Sequence, residues 1–311
     1  MFIEGKTMRG KTIFNLNKII YALGITLAIE LGIFLTVLIF DRVIDGYVVS
    51  KPFSEIFKIH EEEVEFIEEK RVKTVEDSLV KVTPESVEDI ISIDNELVKP
   101  IVYTKGIKLS TLSIDEKKKK FIDMLIPSIL IAKHRISKDR DRVALLLKKE
   151  KLLKEDSLWL KKKKYIFKAT TYDDLYERMA LHPTSIVIAQ AIVESGWGTS
   201  RFFEEANNLF GVWSFNEHED RIEASQKRGK KSIYLKKYAS LEESIFDYFL
   251  IISTNLAYEE FREKRLESKE SFELIKYLDK YSELGEEYVE NLRNTIEKNN
   301  LIIYDSYHLD I

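Results

Sequence analysis

The chain has 311 residues, 44% of them hydrophobic, and a formal net charge of −4. That is enough apolar material for one large or two modest domains and excludes a disordered chain, while so small a charge singles out no class of partner. With no cysteine, disulfides, thiolate metal sites and a cysteine nucleophile are excluded.

Residues 19–40 are almost purely apolar, interrupted by Glu30 and two threonines. About 20 such residues suffice to cross a bilayer, so a single transmembrane helix is predicted there. Lys6, Arg9, Lys11 and Lys18 precede it and Asp41 and Asp45 follow. The positive-inside rule therefore leaves residues 1–18 as a cytoplasmic tail and puts the remainder outside. No Ala-x-Ala cleavage site follows, so the span reads as a retained signal anchor in the inner (cytoplasmic) membrane, single-pass, with the rest on the periplasmic side. Glu30 is expected to be tolerated there in its protonated form. Residues 41–112 turn acidic around Glu61, Glu62, Glu63, Glu65, Glu68 and Glu69 and show no sustained helical period. A stalk or linker is expected, with a small β-module as the alternative.

From residue 113 the pattern becomes one of long amphipathic helices, and 113–308 reads as one domain. Phe121, Leu125, Ile129 and Ala132 recur at helical spacing, as do Val143, Leu146, Leu147 and Leu152, flanked by lysine runs at 117–120 and 161–164. Interleaved acids such as Asp139, Asp141, Glu150, Glu155 and Asp156 dilute the lysines. Together with the extracytoplasmic address, this argues for solvated faces and against a nucleic-acid partner. Weak attraction to anionic wall polymers or lipid headgroups is the functional alternative.

Ile186, Val187, Ile188, Ala189, Ala191, Ile192 and Val193 form a run that is apolar almost all round, which predicts a buried helix. Pro183, with Thr184 or Ser185 as cap, would start it, and Gly196 or Gly198 would end it. Glu194 falls in its last turn. Burial and the negative end of the helix dipole both disfavour its charged form, so its pKa should rise and the carboxyl become a candidate general acid. On spacing alone, a solvated or backbone-bonded glutamate before a glycine cap is the commoner reading. After it, Ser232-Ile-Tyr-Leu-Lys-Lys-Tyr238 alternates like a strand behind a turn at 227–231, predicting a β-hairpin. Leu241, Ile245, Tyr248, Phe249 and Ile252 then form one apolar helical face, and Phe272, Ile275, Leu278, Val289, Leu292 and Ile296 supply two more. The fold class expected is α+β, predominantly helical, with one small β-lobe. The five histidines, His60, His134, His182, His218 and His308, have no paired metal spacing and are expected at the surface or at caps. No metal and no cofactor is expected.

The string Ser-Ile-Val-Ile-Ala-Gln-Ala-Ile-Val-Glu-Ser-Gly-Trp-Gly-Thr-Ser-Arg-Phe at 185–202, followed by Ala-Asn-Asn-Leu-Phe-Gly-Val-Trp at 206–213, closely resembles the glucosaminidase domain of glycoside hydrolase family seventy-three, especially its Bax-like subgroup. Ser-Leu-Glu-Glu-Ser at 240–244, Asn-Leu-Ala-Tyr at 255–258 and Tyr-Ser-Glu-Leu-Gly-Glu-Glu-Tyr at 281–288 extend the likeness over roughly 112–301. The resemblance implies a lysozyme-like fold and hydrolysis of a β-1,4 bond next to N-acetylglucosamine in peptidoglycan glycan strands. It puts Glu194 at the catalytic acid and Tyr281 at a late tyrosine that orients a water or the substrate acetamido group. Many members read Tyr-Ala-Thr-Asp-Pro where this chain reads Tyr-Ser-Glu-Leu-Gly, which leaves Glu283 without a role. Asn208, Phe210, Gly211, Trp213 and Tyr288 are expected to bind substrate or shape the cleft. Trp213 is suited to a sugar-stacking wall or to core packing, and Trp197 is expected in the core. An inverting enzyme needs a base about 6.5–9.5 Å from the acid, and a retaining one a nucleophile about 5–5.5 Å away. The candidates are Glu217, Glu219, Asp220 and Glu223, of which Glu223 is chosen because it precedes the hairpin. Assistance by the acetamido group would need no second carboxylate. A lytic transglycosylase and a non-catalytic glycan-binding scaffold are the competing functions.

Overall fold

The computed structural model describes residues 78–311, except 229 and 230. The predicted cytoplasmic tail, the transmembrane helix at 19–40 and residues 41–77 of the predicted stalk lie outside them. Among the described residues, no helix is long and apolar enough to cross a membrane.

Helix α1 (Ile114–Leu147) is the longest element. Ser113 caps it by accepting from the Glu116 amide, and Asp115 and Glu116 place negative charge in its first turn, where the helix dipole favours it. Phe121, Leu125, Ile129, Ala132, Val143 and Leu146 are buried along one side, whereas Leu147 stays exposed. Two shorter helices follow, α2 (Lys154–Ile166) and α3 (Tyr172–Arg178).

Helix α4 (Thr184–Ser195) is the buried helix that the apolar run predicts. It packs against α1, against α9 (Glu286–Lys298) and against a 3-10 turn at Leu301–Asp305. Ile186, Val187 and Ile188 have no exposed surface, and burying each such side chain is worth about 1.5–3 kcal/mol. Its start differs from the expected local cap. Pro183 occupies the cap position and offers no side-chain bond. Asp305, far along the chain, instead accepts from the Ser185 amide at 2.7 Å and its hydroxyl at 2.8 Å. Its end is a left-handed run: Gly196, Trp197 and Gly198 have φ of 59°, 61° and 68°. Gly198 has no freedom to change, because a Cβ there would lie 2.7 Å from the Phe121 ring.

The β-lobe is an antiparallel hairpin of β4 (Arg221–Arg228) and β5 (Lys231–Lys236), with a register irregularity between Glu223 and Lys227. Trp213 adds a bridge to Leu235. Around the hairpin the chain is helical: α5 (Arg201–Ala206) before it, then α6 (Leu241–Thr254), α7 (Glu259–Glu267), α8 (Ser271–Leu274), a 3-10 stretch at Ile275–Tyr281, and α9. The described molecule is therefore α+β and mostly helical.

The part of the predicted stalk that is described, 78–112, is not a stalk. Strand β1 (Val80–Val82) pairs in parallel with β3 (Ile101–Tyr103), and β2 (Leu97–Val98) pairs in parallel with β6 (His308–Leu309) near the carboxyl end. Ile90, Val98, Ile101, Tyr103, Ile107 and Leu109 belong to the same core as α1 and α4. The physical reason is that these short apolar runs cover the helical body and would otherwise leave its surface wet. Asn207 stitches the join: it accepts from the Gly106 amide at 2.8 Å and donates to the Thr104 and Tyr238 carbonyls.

Candidate active site

Glu194 sits in the last turn of α4, half-buried, beside the left-handed Gly-Trp-Gly turn. Burial pushes its pKa up, and a hydrogen bond from the Tyr288 hydroxyl pulls weakly the other way. The net result is a carboxyl that holds its proton more tightly than a free glutamate.

Tyrosines from three elements surround it. Tyr288 comes from the first turn of α9, Tyr281 from the end of the 3-10 stretch at Ile275–Tyr281, and Tyr258 from a 3-10 turn at Leu256–Tyr258. Tyr281 stacks on Tyr288 at 5.5 Å between ring centres and 10° between planes, and leans on Tyr258 at 5.8 Å. Burial raises all three phenols, Tyr258 to about 12, and the charge of Glu194 adds to the rise. All three are therefore protonated donors at neutral pH.

The residues expected to meet substrate divide sharply. Trp213 is 42% exposed beside Phe215, which is 87% exposed, with ring centres 6.1 Å apart. That is an open aromatic platform of the kind that sugar faces stack on. Gly211 is half-exposed, and a side chain there would meet nothing, but its φ of 65° suits glycine. Phe210 corrects its expected role, because it is buried and stacked on Tyr248 at 4.4 Å. Asn208 does so too. Its amide group is committed to backbone, donating to the Val212 and Lys236 carbonyls and accepting from the Val212 amide. It shapes the 208–212 loop from within. Tyr288 is also buried, and it meets Glu194 instead of open cleft. Trp197 is half-buried, edge-on to Phe121 at 5.9 Å, with the Lys118 ammonium 5.1 Å from its ring.

Glu223 lies in β4 with its carboxylate exposed and hydrogen-bonded by Ser232 across the hairpin. Glu219 accepts from the Ser214 hydroxyl at 2.7 Å. Neither these nor Glu217 and Asp220 contribute to the shift of Glu194. Among the described residues, no cluster of three His, Asp or Glu is arranged to hold a metal.

Sequence reading missed Tyr258, Tyr248, Gln190 and His182. Gln190 had a usable signal, since it lies four residues before Glu194 and so on the same helix face. His182 reverses expectation: it is 1% exposed and caged by Tyr248, Phe249 and Phe261.

Fold and site together describe a mostly helical α+β domain whose centrepiece is a half-buried carboxyl supported by a tyrosine donor. Residues 169–301 match the glucosaminidase family, described as mannosyl-glycoprotein endo-beta-N-acetylglucosaminidase, and this segment is a glucosaminidase-family domain, a glycoside hydrolase class. The chain is similar to protein bax of Escherichia coli (strain K12), 32% identical over 123 residues that cover 38% of this chain and 43% of that protein. It is also similar to the exo-glucosaminidase LytG of Bacillus subtilis (strain 168), 40% identical over 79 residues, 24% of this chain and 28% of that one. The chain thus spans less than half the length of these curated relatives. Among solved structures, the catalytic domain of the autolysin Auto from Listeria monocytogenes is 22% identical with a TM-score of 0.35, covering 54% of this chain and 97% of that one.

Proposed function

We propose that this chain is a membrane-anchored peptidoglycan hydrolase that cleaves the β-1,4 bond after N-acetylglucosamine on a lysozyme-like scaffold, with Glu194 as general acid. The carrying observation is Glu194 itself, a carboxyl whose burial raises its proton affinity while Tyr288 stands ready to stabilise the carboxylate left after donation. In this reading the carboxyl protonates the departing glycosidic oxygen. Tyr281 orients the attacking water or the acetamido group, and the Trp213 and Phe215 faces carry the glycan. Glu223 is the candidate for a second carboxylate, and assistance by the acetamido group would need none. The anchor at 19–40 holds the domain on the outer face of the inner membrane, in reach of glycan strands.

Lytic transglycosylase chemistry is the second reading, because it too needs a single glutamate acid, and Glu223 is instead bonded by Ser232 across the hairpin. The test uses the full chain on purified peptidoglycan. Wild type should release reducing ends, and Glu194→Gln should lower that release by at least about a hundredfold, the low end of what a positioned acid contributes. Equal release by Glu194→Gln would end the proposal, and binding of glycan without cleavage by wild type would replace it with a scaffold.

A further inference from the structure

Behind Glu194 runs a chain of buried polar side chains. The Tyr248 hydroxyl donates to Gln190 Oε1 at 2.6 Å, and Gln190 Nε2 donates to the Tyr288 oxygen at 3.1 Å. His182 Nε2 lies 2.9 Å from the Tyr248 oxygen. All four residues are at most 1% exposed. They come from the segment before α4, from α4 itself, from α6 and from α9, so the contacts are tertiary rather than local.

The polarity of the chain follows from counting protons. A phenol has one, and Tyr248 spends it on Gln190 Oε1, which only accepts. The contact with His182 must then be an Nε2–H donating to the Tyr248 oxygen. His182 is neutral, held so by burial and by the cations Arg265, Lys133 and Lys269 that face it, and its Nδ1 is buried without a hydrogen-bond partner. Nδ1 is accordingly the bare nitrogen. At the other end, the Tyr288 oxygen accepts from Gln190 and keeps its own proton for Glu194. With the Gln190 amide turned over, Tyr288 would donate to Oε1 and Glu194 would face a lone pair.

We propose that Gln190, Tyr248 and His182 are positioning residues that fix the direction of this chain, so that Tyr288 always presents its hydroxyl proton to Glu194. The proposal rests on the reading of Glu194 as the acid. As Glu194 gives up its proton, the new carboxylate meets a donor already in place, which costs no reorganisation at that moment. The remaining groups that sense Glu194 are the phenols of Tyr258 and Tyr281. Neither belongs to the chain of bonds.

Two measurements on the full chain decide it. In wild type labelled with 15N-histidine, His182 should be the Nε2–H tautomer; an Nδ1–H tautomer reverses the direction and overturns the proposal. Second, the Glu194 carboxyl is titrated by 13C NMR, assigned by its loss in Glu194→Gln, alongside the pH profile of kcat/KM. Tyr288→Phe should move both upward by about one pH unit, the scale expected for losing one charge-assisted hydrogen bond. Tyr248→Phe should move them the same way, and Tyr248→Phe with Tyr288→Phe should match Tyr288→Phe alone. A Tyr248→Phe titration equal to wild type, or two shifts that add, overturns the proposal. Should Tyr248→Phe not fold, the tautomer decides alone. Wild type without turnover would fail the hydrolase reading while the tautomer and titration still judged the chain.

Discussion

Glu194 illustrates how a functional carboxyl acts against stability. Its folded pKa lies above the unfolded one, so the folded state binds the proton more tightly, and stability is lost as pH rises from the ordinary glutamate range through the folded value. Glu194→Gln should therefore raise unfolding free energy at neutral pH, with the gain vanishing below the ordinary glutamate range. Urea denaturation at both pH values checks this, and a variant no more stable than wild type at neutral pH would show that the carboxyl is not strained by burial. At this scale the sequence was informative where one residue type had one plausible environment. An acid at the end of a mostly apolar helix was expected to be partly desolvated, and it is. It was uninformative where the same type serves two environments: Phe210 and Trp213 both look like cleft aromatics, yet Phe210 stacks inside on Tyr248 and Trp213 lies open. His182 was misplaced because its burial depends on α6 and α7, whose arrival nothing near residue 182 announces.

At the scale of elements, α4 is held at both ends by features of different range. The left-handed turn at its end depends on neighbouring residues, and Gly198→Ala should cost about 2 kcal/mol or more, since φ of 68° is unfavourable for alanine and the new Cβ meets Phe121. The start depends on Asp305. Asp305→Ala should cost about 1–2 kcal/mol in chemical denaturation, the usual loss for a helix cap, and Asp305→Asn clearly less. A neutral result for Asp305→Ala would mean that water serves the Ser185 amide equally well. The contrast explains what was legible. Helix existence and the glycine stop are written in adjacent residues, as is the hairpin through its alternation at 232–238. A cap delivered from more than a hundred residues away has no local signature, and Pro183 with Ser185 imitates the cap that is not used.

At the scale of the molecule, the helical body is closed by the strands at its two ends. Val98, Ile101 and Tyr103 enter the core, and β2 joins β6. The described residues up to Ile311 fall in one compact unit. A chain beginning at Arg71 should melt cooperatively, whereas one beginning at Ser113 should not, because it exposes the face that Ile90, Ile107 and Leu109 cover. Calorimetry of the two separates an integral segment from a stalk. The sequence misled here because strands of two or three residues have too few alternations to register as a period. The central claim, a glucosaminidase with Glu194 as its acid, is tested most directly by mass spectrometry of peptidoglycan digested by the full chain. Fragments ending in reducing N-acetylglucosamine, absent with Glu194→Gln, are the predicted result. Anhydro-muramyl ends, or the same products from Glu194→Gln, would contradict it.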